Sequence, residues 1–209
     1  MFRRTGAALV AALVLLTAAG CAEEMTARTA TPGASPVVSG PPWYDEVAPA
    51  PAGVTVGAGG SACELPITFS VPARWAAAPV GDASGMTLGG SRLRCEVDAK
   101  PAGKVGFLRV WAVEAGTLDV RASLEEFLAE YGRVSEIEYR RVRRGPLELV
   151  EATYLQRNEL SGGPNRQRAL VAQTPGGAIL LTFGGMDTGE FEAMFPAYQL
   201  ATSTVRATR

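Results

Sequence analysis

The chain of 209 residues contains no histidine and only three cysteines. Without histidine, neither a Ser-His-Asp triad nor a Cys-His pair can form, and the motifs G-x-S-x-G and S-x-x-K are also absent. The sequence has no C-x-x-C pair, so the usual ligands of a zinc site are missing. From these absences we expect a protein that is not an enzyme and that binds no metal or other cofactor.

An excess of positive charge is also missing. The formal net charge of the whole chain is −1, and the part from Ser61 onward contains 17 basic and 17 acidic residues. A protein that binds nucleic acid carries a basic patch or stripe, which this balance does not provide. We therefore expect no nucleic-acid partner.

Long apolar runs are absent as well, and the longest run near the N-terminus covers only residues 7–16. A helix needs roughly 20 apolar residues to cross a bilayer. Arg3 and Arg4 precede the run, and the small residues 17–20 follow it, which is the pattern of an export signal. Small residues directly before Cys21 resemble the lipobox of bacterial lipoproteins, although an ordinary secretory signal followed by an unrelated cysteine is the alternative.

The lipobox resemblance implies that residues 1–20 are a lipoprotein signal peptide that is removed. It also implies that the thiol of Cys21 carries a diacylglyceryl group and that this residue becomes the new N-terminus. Two acyl chains give stable anchoring where one chain does not. The expected location is the outer face of the cytoplasmic membrane, with the membrane itself as one partner.

Residues 21–60 have the composition of a tether that follows the lipidated cysteine. The stretch 22–60 has six prolines and six glycines but no leucine, isoleucine or phenylalanine. Such a segment buries too little apolar surface to offset its ordering entropy, so we predict disorder and a reach of roughly 35 Å. Within it, Trp43 and Tyr44 are either a recognition motif for a partner or residues that dock on the domain or the lipid surface.

Residues 61–209 have the size of one domain, and their pattern is mainly that of strands. Turn residues such as Gly145-Pro146 separate several of these runs, which favours hairpins and a meander formed by the last four strands. The predicted strands cover residues 67–71, 92–98, 105–113, 137–144, 147–157, 166–173 and 177–183.

Two amphipathic helices accompany the strands. The first has a capping box formed by Ser123 and Glu126, followed by apolar residues at helical spacing. The second begins after Asp187 or Thr188, and we predict a break at Pro196, since proline lacks an N–H and clashes with the preceding turn. Both apolar stripes are interpreted as faces that pack on a sheet.

The segments "ITFSVPARW", "SLEEFLAEYG", "RGPLELVEATY" and "GGAILLTFGGMDTGEFEAMFPAYQLATSTVR" follow one another in an order that resembles the PsbP-like fold. Within that group the chain is most similar to actinobacterial LpqN-type lipoproteins. The resemblance implies an α+β protein, an αβα sandwich around a mainly antiparallel sheet. It also implies that the family mostly binds partners and does not catalyse reactions, and it provides no motif of functional residues.

Cys63 and Cys95 form an even pair in an exported domain, which favours a disulfide, with two separate buried thiols as the alternative. Among the charged residues, Arg141 and Arg143 should lie on one face of a strand and Arg140 and Arg144 on the other. These arginines either pair with nearby acids or contact anionic headgroups or an acidic partner.

Three functions remain open. The first is a non-catalytic accessory lipoprotein that contacts another envelope protein, and the second is a carrier or sensor of a small or lipidic ligand. The third is a hydrolase that uses carboxylates alone. We interpret Glu148 and Glu151, the acids considered for that chemistry, as solvated strand residues.

Overall fold

The computed structural model describes residues 41–81, 85–114, 119–157 and 163–208. The predictions for residues 1–40, including the signal peptide and Cys21, lie outside the described residues. The two helices are Val120–Tyr131 (α1) and Thr188–Thr204 (α2), and Lys100–Ala102 forms a short 3-10 helix. The strands are Val54–Val56 (β1), Ile67–Val71 (β2), Ala76–Pro79 (β3), Thr87–Leu88 (β4), Ser91–Asp98 (β5), Gly106–Val113 (β6), Val134–Arg144 (β7), Leu147–Arg157 (β8), Pro164–Thr174 (β9), Gly177–Gly185 (β10) and Arg206–Ala207 (β11).

A large antiparallel sheet forms the centre of the domain. Its strand order is β3-β5-β6-β10-β9-β8-β7, and β4 pairs with β5. A second, small antiparallel sheet has the order β1-β2-β11. Each of the seven predicted strands is present, and the last four form the predicted meander, because short turns join neighbours that can pair only antiparallel.

The two faces of the large sheet carry two separate apolar clusters, since side chains alternate along each strand. On β9, Ala169 and Val171 belong to the cluster beneath α1, whereas Leu170 and Ala172 belong to the cluster beneath α2 and the small sheet. Helices on both faces of an antiparallel sheet make an αβα sandwich. The predicted α+β class and this architecture are confirmed.

Helix α1 begins one turn earlier than its capping box predicted. The N-cap is Asp119, whose side chain accepts a hydrogen bond from the backbone N–H of Arg121 at 2.7 Å. Ser123 lies inside the helix, where its hydroxyl donates to the Asp119 carbonyl at 3.2 Å. The prediction of Ser123 as the cap is wrong because aspartate caps as well as serine does, and the earlier start packs Val120 against the core.

Helix α2 begins after Asp187, as expected, but it continues through Pro196 without the predicted break. Proline removes one hydrogen bond, and the carbonyl that loses its partner belongs to the exposed residue Glu192. Phe195 and Tyr198, on either side of the proline, are both buried under the sheet. The packing of these two side chains outweighs the tendency of Pro196 to break the helix. Among the described residues, neither helix is long and apolar enough to cross a bilayer.

Cys63 and Cys95 form a disulfide whose Cα atoms are 6.0 Å apart, as the sequence predicted. Cys95 lies on β5 and Cys63 in the connection between β1 and β2, so the bond joins the small sheet to the large one. Both cysteines are buried in the cluster beneath α2.

The predicted disordered tether is wrong for residues 41–60, which pack against the domain. Strand β1 pairs with β2, and the N–H of Ala50 donates to the Pro196 carbonyl at 2.8 Å. The prediction relied on the composition of the whole segment, and it missed two side chains that attach the segment to the domain. These are Trp43 and Val56, which are 6% and 1% exposed. Residues 41–60 therefore belong to the globular domain.

Candidate functional site

Trp43 docks in a basic environment on the α2 side of the large sheet. The Cζ atoms of Arg140, on β7, and Arg168, on β9, lie 4.2 and 4.7 Å from the centre of its ring. Cations at this distance over an indole are attracted by the ring's electrons, most strongly where water is excluded. Trp43 is thus part of the domain and not an exposed recognition motif in this conformation.

Arg168 is the largest fully buried residue of the domain. Its Nη1 donates to Oε1 of Glu151 at 2.9 Å, and its Nη2 donates to the backbone carbonyls of Pro42, at 3.1 Å, and Trp43. The Nε atom has no hydrogen-bond partner among the described residues. A buried guanidinium therefore holds both the backbone and the side chain of the N-terminal segment.

Arg140 completes the connection from the other side. It forms a two-pronged contact with the carboxylate of Asp45, with 2.8 Å between Nη2 and Oδ1, and its Nε donates to Oε2 of Glu151 at 2.7 Å. Burial alone would lower the pKa of Arg140, but the hydrogen bonds and charges of Asp45 and Glu151 outweigh it and raise the pKa above its ordinary value.

Glu151 lies at the centre of these contacts and is only 5% exposed. Tyr198 of α2 donates its hydroxyl to Oε1 at 2.6 Å, and burial together with the charge of Glu151 raises the pKa of Tyr198. The prediction that Glu151 is solvated is wrong, because its side chain lies on the α2 face of β8, where Arg140, Arg168 and Tyr198 bind its carboxylate. We call this group the N-terminal clasp; its members are Trp43, Asp45, Arg140, Glu151, Arg168 and Tyr198.

The clasp contains two carboxylates and two guanidinium groups, so its formal charges cancel. Charges taken out of water are tolerated only when they are paired and hydrogen-bonded in this way. Tyr44 adds an edge-on contact with Phe195 at 5.9 Å between ring centres, and its carbonyl accepts from Nε2 of Gln199 at 3.2 Å. These contacts together hold residues 42–45 against the sheet and α2.

The four arginines of β7 alternate between two faces, as predicted. Arg140 and Arg144 turn toward α2, where Nε of Arg144 donates to the Thr202 carbonyl at 3.1 Å. Arg141 and Arg143 are exposed on the opposite face, and Arg143 forms an ion pair with Glu148 at 2.5 Å. Contact with an anionic partner stays a prediction for Arg141 and Arg143, whereas Arg140 and Arg144 are already engaged within the domain.

A polar cavity of about 400 Å³ opens on the other face of the sheet, beyond the C-terminal end of α1. The cavity was not predicted from the sequence, although β8 changes from buried to more polar residues at alternate positions there, as in Tyr154 and Gln156. Its polar lining comes from Arg109, Tyr131, Gln156, Gln167 and Thr182. No cluster of three or more potential metal ligands occurs within the described parts of the chain.

A family model described as "Uncharacterised lipoprotein" matches residues 33–205, which is most of the chain. The chain belongs to this lipoprotein family. Among solved structures, the solution structure of cyanobacterial PsbP (CyanoP) from Synechocystis sp. PCC 6803 is similar, with a TM-score of 0.49 and 12% sequence identity. The match covers 68% of this chain and 87% of that chain. A comparison with curated proteins finds no matching sequence.

In this lipoprotein the two glutamates considered for hydrolysis do not face a common space. Glu148 is exposed and pairs with Arg143, whereas Glu151, three residues further along β8, is enclosed in the clasp on the opposite face. Paired carboxylates act in glycosidic hydrolysis only when both flank the scissile bond. These two acids therefore provide no site for that reaction.

Proposed function

We propose that this lipoprotein is a non-catalytic binding or accessory protein of the cell envelope, anchored through a lipid on Cys21 at the outer face of the cytoplasmic membrane. It acts by contacting another envelope protein. The observation that carries the proposal is the N-terminal clasp, in which side chains of the sheet and of α2 hold residues 42–45 against the domain.

The clasp shortens the predicted tether. With residues 41–60 packed on the domain, only residues 22–40 connect it to Cys21, and the sequence-based expectation for such a coil is an end-to-end distance of roughly 24 Å. A domain held this close to the bilayer meets partners that are themselves at the membrane. A short tether with a fixed attachment point suits an accessory protein better than an enzyme that acts on diffusing substrates.

A carrier of lipidic ligands is less well supported. An apolar cavity of about 290 Å³ lies between Tyr44 and Val47 of the docked segment and Phe191 and Phe195 of α2. This volume is at the lower limit of ordinary ligand pockets, which range over roughly 300–1,000 Å³.

Two measurements on cells that express the protein test the proposal. Membrane fractionation should find the wild-type chain in the membrane fraction and the Cys21→Ala variant, once processed, in the soluble extracytoplasmic fraction. A photo-crosslinking amino acid at the exposed positions Arg141 or Met186, on different parts of the surface, should capture the same envelope protein repeatedly from one position only.

The Cys21→Ala variant is the control for the second measurement, because without the anchor the crosslink should weaken strongly. A processed Cys21→Ala chain that stays membrane-bound would contradict the anchor. Wild-type protein that crosslinks to no envelope protein from either position would contradict the accessory function.

A further inference from the structure

The polar cavity exists because α1 is too short to cover its face of the sheet. Its 12 residues extend for about 18 Å, whereas the 11 residues of β8 or of β9 extend for about 36 Å. Under the helix this face is apolar, with residues such as Val150 and Val171. Beyond Tyr131, the last residue of α1, the same face becomes polar and open.

Two glutamine side chains in the cavity have unused hydrogen-bonding groups. Neither Gln156 nor Gln167 forms a side-chain hydrogen bond to another described residue, and each carboxamide has two donor hydrogens and an acceptor oxygen. Gln167 extends across the neighbouring strand over Gly184, where an added Cβ would lie 1.5 Å from Oε1. Glycine at this position therefore places the carboxamide in the cavity.

Arg109 supplies the guanidinium group of the cavity and forms an ion pair with Glu96. Its Nε donates to Glu96 at 2.6 Å, and its Cζ lies 4.6 Å from the ring centre of Phe107, which fixes the guanidinium in the lining. The side chain is 33% exposed, and its two terminal nitrogens have no hydrogen-bond partner among the described residues. Two parallel N–H groups of this kind match the two oxygens of a carboxylate.

The rim of the cavity is apolar. Val105 and Met186 are 46% and 49% exposed, and the backbone N–H of Met186 donates to the Val105 carbonyl at 3.1 Å, so the two side chains lie on adjacent segments. Both belong to the small group of large apolar residues that the described surface exposes. An exposed apolar rim around convergent polar groups is typical of a binding site.

We infer that this cavity binds the C-terminal end of a peptide, with the carboxylate on Arg109, the last amide group on Gln167 and Gln156, and an apolar terminal side chain against Val105 and Met186. A carboxamide matches an amide bond because each offers one donor and one acceptor in the same plane. The volume of about 400 Å³ accommodates a terminal dipeptide and lies within the ordinary range of ligand pockets. The inference goes beyond the proposed accessory role, since either a small free peptide or the tail of a protein offers this chemistry.

Isothermal titration calorimetry on the purified full chain tests the inference with N-acetyl-alanyl-leucine and its C-terminal amide as probes. The acid should bind saturably at about 1 mM or below, and the amide at least about tenfold more weakly, because only the acid pairs with Arg109. For the Arg109→Gln variant, the affinity of the acid should decrease to that of the amide. Arg92→Gln is the matched control, since Arg92, on β5 of the same sheet, also pairs with a glutamate, Glu114, at 3.1 Å but does not line the cavity.

Gly184→Ala is the second variant. A methyl group at this position displaces Gln167, so the variant should bind both the acid and the amide more weakly. Thermal midpoints of all the variants confirm that they are folded. A ten-residue peptide with the same last two residues distinguishes the sources: equal affinity indicates a small free peptide, and tighter binding indicates a protein tail. Equal affinity for acid and amide in the wild type, no saturable binding at about 10 mM, or unchanged discrimination in Arg109→Gln would overturn the inference.

Discussion

Arg168 holds Trp43 in two ways, through a hydrogen bond from Nη2 to the Trp43 carbonyl and through its guanidinium, 4.7 Å from the centre of the indole ring. The two residues are 125 positions apart in the chain. A segment fixed by a buried charge belongs to the cooperative unit of the domain, so the N-terminal clasp should influence the stability of the whole fold.

Replacement of Glu151 by Gln should destabilise the domain severely. The variant leaves Arg168, which is fully buried, without its anionic partner, and breaking a buried ion pair from one side costs about 3–5 kcal/mol. Glu148→Gln is the matched control on the same strand, where an exposed ion pair contributes at most about 1 kcal/mol. Urea denaturation measures both free energies of unfolding, and equal values would show that the clasp does not depend on charge.

Trp43→Ala should release the docked segment and lower the thermal midpoint. Removal of a buried aromatic side chain costs about 3–5 kcal/mol, and here the contacts with Arg140 and Arg168 are lost with it. Limited proteolysis should then cut within residues 41–53, whereas Val54→Ala, which alters a side chain that is 39% exposed in the same region, should leave the wild-type pattern. Cleavage of the wild-type protein at the same rate would mean that the segment is not docked in solution.

Two tyrosine-to-phenylalanine variants should differ in their effect on stability. The hydroxyl of Tyr198 donates to Glu151, and a hydrogen bond to a charged group contributes about 1.5–3 kcal/mol, so Tyr198→Phe should destabilise. The hydroxyl of Tyr154 is buried without a partner among the described residues, so Tyr154→Phe should be neutral or stabilise by about 1 kcal/mol. Chemical denaturation measures the free energy of unfolding of both variants. A large decrease for Tyr154→Phe would show that the hydroxyl of Tyr154 has a hydrogen-bond partner after all.

Alkaline conditions should weaken the fold through the same tyrosines. Burial raises the pKa of Tyr154 and, together with the charge of Glu151, that of Tyr198 well above the ordinary value of about 10. The folded state therefore binds more protons than the unfolded state above about pH 10, so this contribution is complete below that pH and is lost as the pH rises further. Urea denaturation should give a lower free energy of unfolding at about pH 11 than at about pH 8. The difference should be smaller for the Tyr154→Phe variant.

Loss of the disulfide should lower the stability without changing the architecture. The bond between Cys63 and Cys95 closes a loop with a sequence separation of 32, for which the chain-entropy model gives roughly 3–4 kcal/mol. The double Cys63→Ala and Cys95→Ala variant should show this loss in thermal denaturation, with a circular dichroism spectrum like that of the wild type. Mass spectrometry under non-reducing conditions should find the linked peptide, and free alkylation of both thiols would contradict the bond.

The strands were predictable because their signals are local. Turn residues such as Gly145-Pro146 force neighbouring segments into hairpins, and the periodic apolar pattern indicates which residues face the core. The predicted start of α1 and the predicted break of α2 at Pro196 were wrong, because packing against the core determines both features. Val120 gains contacts from an earlier start, and the buried side chains around Pro196 hold one continuous helix.

The antiparallel meander, the two helices and the pairing of Cys63 with Cys95 could be predicted because each depends on nearby residues or on residue type. The burial of Glu151 between Arg140 and Arg168, and the position of Trp43 over the two arginines, became visible only in the folded chain. The same is true of the common cavity that Arg109 and Gln167 line. The physical reason is distance along the chain. The contacts of the clasp join residues up to 125 positions apart, and the local pattern around a glutamate does not reveal whether a distant arginine will neutralise it.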